Sequence, residues 1–157
     1  MAATGKVSPI PTGYHAVTPY LIIDGAAKAL DYYAAVFGAK EVLRMPGPNG
    51  EIGHAEIMIG DSHVMLADEH PQLGYRGPQA GAPTSSSLMV YVPDVDATFA
   101  KAIAAGAKEQ RAVADQFYGD RSGTLTDPFG HVWTISTHVE DVTPEEIEKR
   151  LAAMPPQ

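Results

Sequence analysis

Apolar and polar positions along the chain follow two different periods, and the changes of period divide the sequence into elements. Residues 15–23 are apolar and rich in strand-forming types, and residues 26–37 carry apolar side chains at every third or fourth position. The second spacing is typical of an amphipathic helix, and Gly38 follows it as a helix-ending residue. Three further strands are predicted between glycine-containing turns, at residues 42–45, 52–59 and 63–68.

The second half of the chain repeats the same order of elements. The pattern predicts a strand, a helix and three strands at residues 88–92, 95–105, 110–113, 123–126 and 131–137. The tetrapeptide Gly-Ala-Lys-Glu at residues 38–41 recurs 68 positions later, and the same spacing aligns His63 with His131 and His70 with His138. Three matches at one spacing indicate an internal duplication.

We interpret residues 1–157 as one domain built from two modules, residues 14–68 and 87–140. Glycine, proline and serine are frequent in residues 69–86, which is typical of a linker. A threonine, a proline and a glutamate at the start of residues 143–153 form the usual signal for a helix N-terminus, so a C-terminal helix is predicted there. The first module has no counterpart of this helix.

Composition and charge narrow the range of partners. The chain has no cysteine, which excludes disulfides and thiolate zinc sites. It shows neither an N-terminal apolar run of signal-peptide length nor a stretch of about 20 apolar residues, so we expect a cytoplasmic protein without a membrane partner. A net charge of −8 with 11 basic residues argues against nucleic acid. A small molecule, including a cationic one, is the expected partner.

The duplicated strand order, together with Asp-Pro-Phe-Gly-His at residues 127–131, resembles the vicinal oxygen chelate superfamily of glyoxalases, bleomycin-resistance proteins and extradiol dioxygenases. The resemblance covers about residues 14–140. More narrowly, residues 18–21, 118–121 and 137–141 resemble the PhnB-like branch. The resemblance implies an α+β fold in which tandem βαβββ modules form two curved mixed sheets around a cavity, with the C-terminal helix added. It also implies a homodimer, the commonest closed oligomer.

In the superfamily's metalloenzymes, the first and last strands of each module supply the ligands of a divalent ion. Alignment of the first module with the family places two of these positions at Pro19 and Leu66, and the spacing of 68 then gives Ser87 and Thr134 in the second module. Such side chains are poor ligands beside histidine or carboxylate, so we expect no metal and no other cofactor. The expectation argues against metal-dependent isomerisation and ring cleavage, and a shared fold does not by itself transfer a reaction.

A histidine and a glutamate on the strand at residues 52–59 are the candidate catalytic residues. Side chains alternate between the two faces of a strand, so Ala55 and Ile57 are predicted to pack on the helix while His54 and Glu56 face the cavity. A neighbouring imidazole and carboxylate can move a proton or anchor a ligand. A structural hydrogen bond without chemistry is the alternative.

Polar residues of the second module are candidates for ligand binding. They are Tyr118, Asp120, Arg121, Thr134 and His138. Arg121 can clamp a carboxylate or phosphonate by two parallel hydrogen bonds. The alternative for Arg121 is a salt bridge to Asp120 or Asp127 that fixes the loop. His63 and His131 begin equivalent strands, which favours structural roles for both.

Three functions fit these observations. The first is a small-molecule-binding protein with acid–base catalysis by His54 and Glu56 and no metal. The second is non-catalytic sequestration of a drug or metabolite. The third is a divalent-metal lyase or isomerase that uses a surrogate ligand set of Glu56 and nearby histidines. The sequence identifies neither the ligand nor whether a reaction occurs.

Overall fold

The computed structural model describes residues 7–155, which form two four-stranded sheets and three α-helices. The α+β fold class predicted from the sequence is confirmed. None of the helices in this part of the chain is long and apolar enough to cross a membrane. In chain order the elements are β1 (Tyr20–Ile23), α1 (Ala26–Phe37), β2 (Lys40–Pro46), β3 (Ile52–Ile59), β4 (Ser62–Asp68), β5 (Leu88–Tyr91), α2 (Val95–Ala104), β6 (Lys108–Asp115), β7 (Asp120–Thr126), β8 (Val132–His138) and α3 (Pro144–Ala152).

The first compact unit extends to Gly77 and contains one mixed sheet with the order β1-β4-β3-β2. Strand β1 runs parallel to β4, and the other pairs are antiparallel. Helix α1 packs on one face of the sheet. The carboxylate of Asp68, at the end of β4, accepts the backbone N–H groups of Gly25 and Ala26 at 3.0 and 2.8 Å. These bonds satisfy donors that the first turn of a helix leaves free, and so fix where α1 begins.

The second unit begins at Pro78 and repeats this arrangement as β5-β8-β7-β6. Helix α2 is capped by Asp94, and the hydroxyl of Thr137 on β8 accepts the N–H of Val95 at 2.9 Å. At Gly123 on β7 a Cβ atom would lie 2.8 Å from the ring of Phe99, so glycine permits the close packing of α2 on the sheet. The C-terminal helix α3 is present as predicted from the sequence.

Most predicted elements match the structure, and the larger differences fall at strand ends. Helix α1 and strand β3 have the predicted bounds. Strand β1 begins at Tyr20, later than predicted, because Pro19 has no N–H to donate to a sheet. Strand β7 begins at Asp120, earlier than predicted, so Asp120 and Arg121 belong to the sheet and not to a loop before it.

The spacing between equivalent residues is not constant along the two modules. Strands β2 and β3 correspond to β6 and β7 at the predicted spacing of 68, since the pair Lys40–Met58 recurs as Lys108–Thr126. The last strands are 69 positions apart. The turn that joins β7 to β8 has three residues, Pro128 to Gly130, inside the backbone hydrogen bond between Asp127 and His131. The turn that joins β3 to β4 has only two, Gly60 and Asp61.

This shift of one residue corrects the alignment of the expected ligand positions. A one-residue slip moves a side chain to the opposite face of a sheet. Leu66 pairs with Ala55 and is fully buried on the helix side, and its counterpart is Ile135. Thr134 therefore corresponds to Met65 and lies on the face away from the helix. The four positions aligned with metal ligands therefore do not lie on one face of the sheets. Their alignment no longer supports the expectation that the metal site has been lost.

Candidate functional site

Four side chains of the first unit form one chain of hydrogen bonds on the sheet face away from α1. His54 and Glu56 point to this face while their neighbour Ala55 is fully buried, as strand alternation predicts. The hydroxyl of Tyr20 lies 2.8 Å from His54 Nδ1, and His54 Nε2 lies 3.0 Å from Glu56 Oε1. Tyr14, which precedes β1, donates its hydroxyl to Glu56 Oε2. Sequence reasoning found the two central residues and missed both tyrosines.

The hydrogen bonds of this chain shift the pKa of Glu56 and fix the direction in which protons are donated. Those from His54 and Tyr14 hold the pKa of Glu56 below its usual range, so Glu56 is a carboxylate at neutral pH. Burial, together with the nearby Tyr75 and Glu56, raises the pKa of Tyr20. A protonated Tyr20 donates to Nδ1, which leaves the proton of a neutral His54 on Nε2, where it faces the carboxylate. The ring of Tyr14 is in turn positioned by His63, which stacks on it at 3.7 Å.

A cavity of about 470 Å³ opens on the first unit beside this chain. Its volume falls in the usual range for small-molecule sites. Tyr20 belongs to both features, since its side chain lines the cavity and its hydroxyl bonds to His54. The carboxylate of Asp68 at the wall already accepts three backbone N–H groups. The lining residues are Tyr20, Ile22, Gly53, Ala67, Asp68, His70, Leu73 and Tyr75.

Asp120 and His138, predicted as ligand-binding residues, form a separate cluster on the second unit. The buried carboxylate of Asp120 accepts the hydroxyl of Tyr91 at 2.9 Å and lies 2.8 Å from His138 Nδ1. The other ring nitrogen of His138 lies 2.9 Å from Asp141. Asp141 and Asp120 together raise the pKa of His138, which favours the imidazolium. Sequence reasoning did not include Tyr91 or Asp141.

The other candidates of the second unit occupy different surroundings. Arg121 forms two hydrogen bonds with Asp96 on α2, at 2.7 and 2.8 Å, and a third with Asp115. The salt bridge considered for Arg121 therefore exists, but the suggested partners Asp120 and Asp127 were wrong. Tyr118 lies in the turn before β7, where its ring contacts Phe117 edge to face.

Thr134, the remaining candidate, contacts a residue that the sequence did not indicate. Its hydroxyl lies 3.0 Å from that of Thr124, which accepts a hydrogen bond of 3.1 Å from Arg111. Nothing in the periodicity of the sequence distinguishes Arg111 from other surface arginines.

The arrangement does not suit a divalent ion on the described residues. Within residues 7–155 no group of three or more histidine, aspartate or glutamate side chains is arranged to hold a metal. The hypothetical surrogate set around Glu56 is therefore not assembled there. Glu56 directs one oxygen to His54 and the other to Tyr14, so both are already engaged.

Comparison with known proteins identifies the class of protein that this fold and site define. The family model described as the Glyoxalase/Bleomycin resistance protein/Dioxygenase superfamily matches residues 14–135. The chain belongs to this superfamily, which confirms the resemblance seen in the sequence.

Individual relatives extend over most of the chain. An uncharacterized protein of Mycobacterium bovis is 40% identical over 143 residues, which cover 88% of this chain and 93% of the relative. The crystal structure of TioX from Micromonospora sp. ML1 is 31% identical with a TM-score of 0.62, covering 78% of this chain and 98% of TioX. The PhnB protein of Bacillus cereus has a TM-score of 0.62 at 19% identity, covering 78% and 99% of the two chains, which shows a shared fold.

Proposed function

We propose that the protein binds a small organic molecule in the cavity of the first unit and transfers a proton to or from it through Tyr20, His54 and Glu56. One observation carries the proposal: the Tyr20 side chain lines the cavity, and its hydroxyl lies 2.8 Å from His54 Nδ1. A ligand in the cavity is thereby linked to an imidazole and a carboxylate that lie behind the cavity wall.

The proton moves in two coupled steps. An acidic proton of the ligand passes to Tyr20 Oη as the phenolic proton passes to His54 Nδ1. The imidazolium that forms is stabilised by the Glu56 carboxylate, 3.0 Å from Nε2. In the opposite direction Tyr20 returns the proton as an acid. Positioned acid–base groups of this kind contribute about 10²- to 10⁴-fold to a rate, and no step requires a group from outside the chain.

The lining favours a ligand with an apolar or aromatic body. Half of the eight lining residues are aromatic or large and apolar, namely Tyr20, Tyr75, Ile22 and Leu73. The faces of aromatic rings attract planar and cationic groups.

A second function, binding without reaction, is favoured by a different observation. Both ring nitrogens of His54 have partners inside the chain of hydrogen bonds, as in structural networks. Sequestration of a drug or metabolite needs only the cavity. The PhnB-like branch remains our placement within the superfamily, supported by the sequence motifs at residues 18–21, 118–121 and 137–141.

Proton transfer can be tested before the physiological reaction is known. Ligand-observed NMR with a panel of aromatic amines and ketones will identify a compound that binds, and its acidic C–H signal is then followed in D2O. We expect exchange to fall by at least about 100-fold in Tyr20→Phe and Glu56→Gln, with binding retained. Tyr91→Phe is the matched control, since Tyr91 also donates to a carboxylate but lies on the second unit.

The outcomes separate the two functions. Binding by the wild-type protein without enhanced exchange supports sequestration and contradicts proton transfer. Binding that persists unchanged in Ala67→Leu, which places a larger side chain in the cavity wall, contradicts the location of the site.

A further inference from the structure

Hydroxyl side chains of β7 and β8 form a polar surface on the second sheet, on the face away from α2. Ser122 lies directly opposite Ser136, and Thr124 lies opposite Thr134. We call these four residues the hydroxyl face. Ser122, Thr124 and Ser136 are buried, and the Oγ atom of Ser136 has no hydrogen-bond partner among residues 7–155. A buried hydroxyl without a partner is costly and requires an explanation.

A β-bulge directs Arg111 onto the hydroxyl face. Strand β6 pairs Glu109 with Leu125 and then Arg111 with Thr124, so Gln110 is an extra residue. Without the bulge Arg111 would lie opposite Gly123, on the side of the sheet that packs on α2. With it, the Arg111 guanidinium donates to Thr124 at 3.1 Å. Bulges are frequent next to functional sites because they reorient one side chain.

The guanidinium of Arg111 differs from the paired arginines of this chain in its partners. Arg44, Arg121 and Arg150 each form two hydrogen bonds to one carboxylate. Within residues 7–155 Arg111 forms no ion pair, and its hydrogen bond goes to a hydroxyl. Arg111 is an exposed residue, so its guanidinium faces solvent without a carboxylate partner from this part of the chain at the edge of the hydroxyl face.

The hydrogen-bonding groups that Arg111, Thr124 and Thr134 do not use with one another are mostly donors. Thr124 accepts from Arg111 and can donate its own proton to Thr134, 3.0 Å away. The proton of Thr134 and four N–H groups of Arg111 are then available. The nearest carboxylate along β7, Asp120, is four residues away, about 13 Å along a strand, and carries its own hydrogen bond from His138.

We propose that Arg111, Thr124 and Thr134 form a binding subsite for an oxyanion, the carboxylate or phosphonate group of a small organic ligand. A planar guanidinium binds two oxygens of such a group in parallel, and the Thr134 hydroxyl donates to one of them. This subsite belongs wholly to the second unit, so its existence does not depend on proton transfer in the first.

The test uses acetate and methylphosphonate as probes. Each is titrated at constant ionic strength against isotope-labelled wild-type protein, and the amide signals of Thr134 and Ser136 are followed by NMR. We expect saturable shifts, with the affinity reduced at least about tenfold in Arg111→Gln, because a charge-assisted hydrogen bond is lost. Arg44→Gln makes the same charge change at the ion pair with Glu41 in the first unit and should leave the affinity unchanged.

Two further variants keep the proposal testable if Arg111→Gln does not fold. Thr134→Val removes one donor, and Arg111→Lys keeps the charge but loses the paired donors, so both should weaken binding. Equal affinity in the wild type and these variants, or shifts that never saturate, would overturn the proposal. Ala67→Leu in the first unit should bind both probes as the wild type does, which separates failure here from failure of the cavity.

Discussion

The hydrogen bonds received by Glu56 determine the charge of the first-unit site. Its two oxygens are occupied by His54 and Tyr14, and both bonds favour the ionised carboxyl. A fixed negative charge next to His54 Nε2 is what a transient imidazolium requires. The same bonds also stabilise the folded protein, and this contribution depends on pH.

Glu56→Gln should therefore destabilise the protein in a pH-dependent way. Because the pKa of Glu56 is lowered in the folded state, its contribution is complete above the unfolded value of about 4.3 and is lost as pH falls through the folded value. At pH 7 we expect a loss of about 1 kcal/mol, or roughly 2–4 °C in melting temperature. Melting curves of both proteins from pH 7 to pH 3 should converge at the acidic end.

The control for this series is Glu148→Gln, which removes an exposed carboxylate of α3. This substitution should leave the melting temperature nearly unchanged at every pH from 7 to 3. A constant difference between wild type and Glu56→Gln across the whole range would show that Glu56 acts by packing and not by charge.

Single residues were predictable from the sequence where strand alternation alone decides their position. His54 and Glu56 were found in this way, because β3 alternates regularly from His54 to Ile59. Tyr14 was missed because it lies before β1, in a segment without periodicity. Arg111 was missed because the bulge at Gln110 reverses the face that simple alternation assigns to it.

At the scale of elements, the end of the last strand in each module fixes the start of the module's helix. Asp68 does so for α1 and Thr137 for α2, at equivalent places in the two sheets. Asp68 also accepts the N–H of Ile52 at 2.7 Å, so it joins the start of α1 to the start of β3. One carboxylate thus connects three elements of the first unit.

Asp68→Ala should destabilise the protein more than an ordinary surface substitution. It leaves three backbone N–H groups without their acceptor, which costs about 1–3 kcal/mol. The free energy of unfolding from urea denaturation measures this loss. Asp61→Ala, in the exposed turn between β3 and β4, is the control and should change it by less than about 0.5 kcal/mol. Equal losses would contradict the connecting role of Asp68.

The order and type of the elements could be predicted from the sequence, but their register could not. Hydrophobic periodicity depends on local sequence, so α1 and β3 were recognised with their observed bounds. The register between modules depends on turn length, and the extra residue between Asp127 and His131 leaves no mark in the periodicity. A constant spacing of 68 was therefore wrong for the last strands, and it matched Leu66 with Thr134, which lies on the opposite face of its sheet.

At the scale of the whole molecule, two modules of one topology carry different chemistry. The first presents a carboxylate, an imidazole and two tyrosines beside an apolar cavity. The second presents the hydroxyl face with Arg111, which forms no ion pair among residues 7–155, in addition to the cluster of Tyr91, Asp120 and His138. Each proposal concerns one module only, and each is tested separately.

We also predict that the chain forms a homodimer, as the superfamily resemblance implies and as closed twofold oligomers commonly do. Sedimentation equilibrium at micromolar concentration should give twice the mass of the chain. Removal of α3 and the residues after it by a stop codon at Val142 tests whether this end of the chain, where Leu151 and Met154 are exposed, contributes to the association. A wild-type mass equal to one chain would contradict the prediction.

The bulge that directs Arg111 is present in both modules. In the first module Val42 is the extra residue, and Leu43 lies opposite Glu56 as Arg111 lies opposite Thr124. We infer that the irregularity existed before the gene duplicated, since independent insertions would rarely fall at the same place in both strands. Later substitutions at one pair of positions then gave the copies opposite electrostatic character while the backbone stayed the same. For protein engineering, exchanging this pair of residues between the modules should exchange their charge without redesigning the fold.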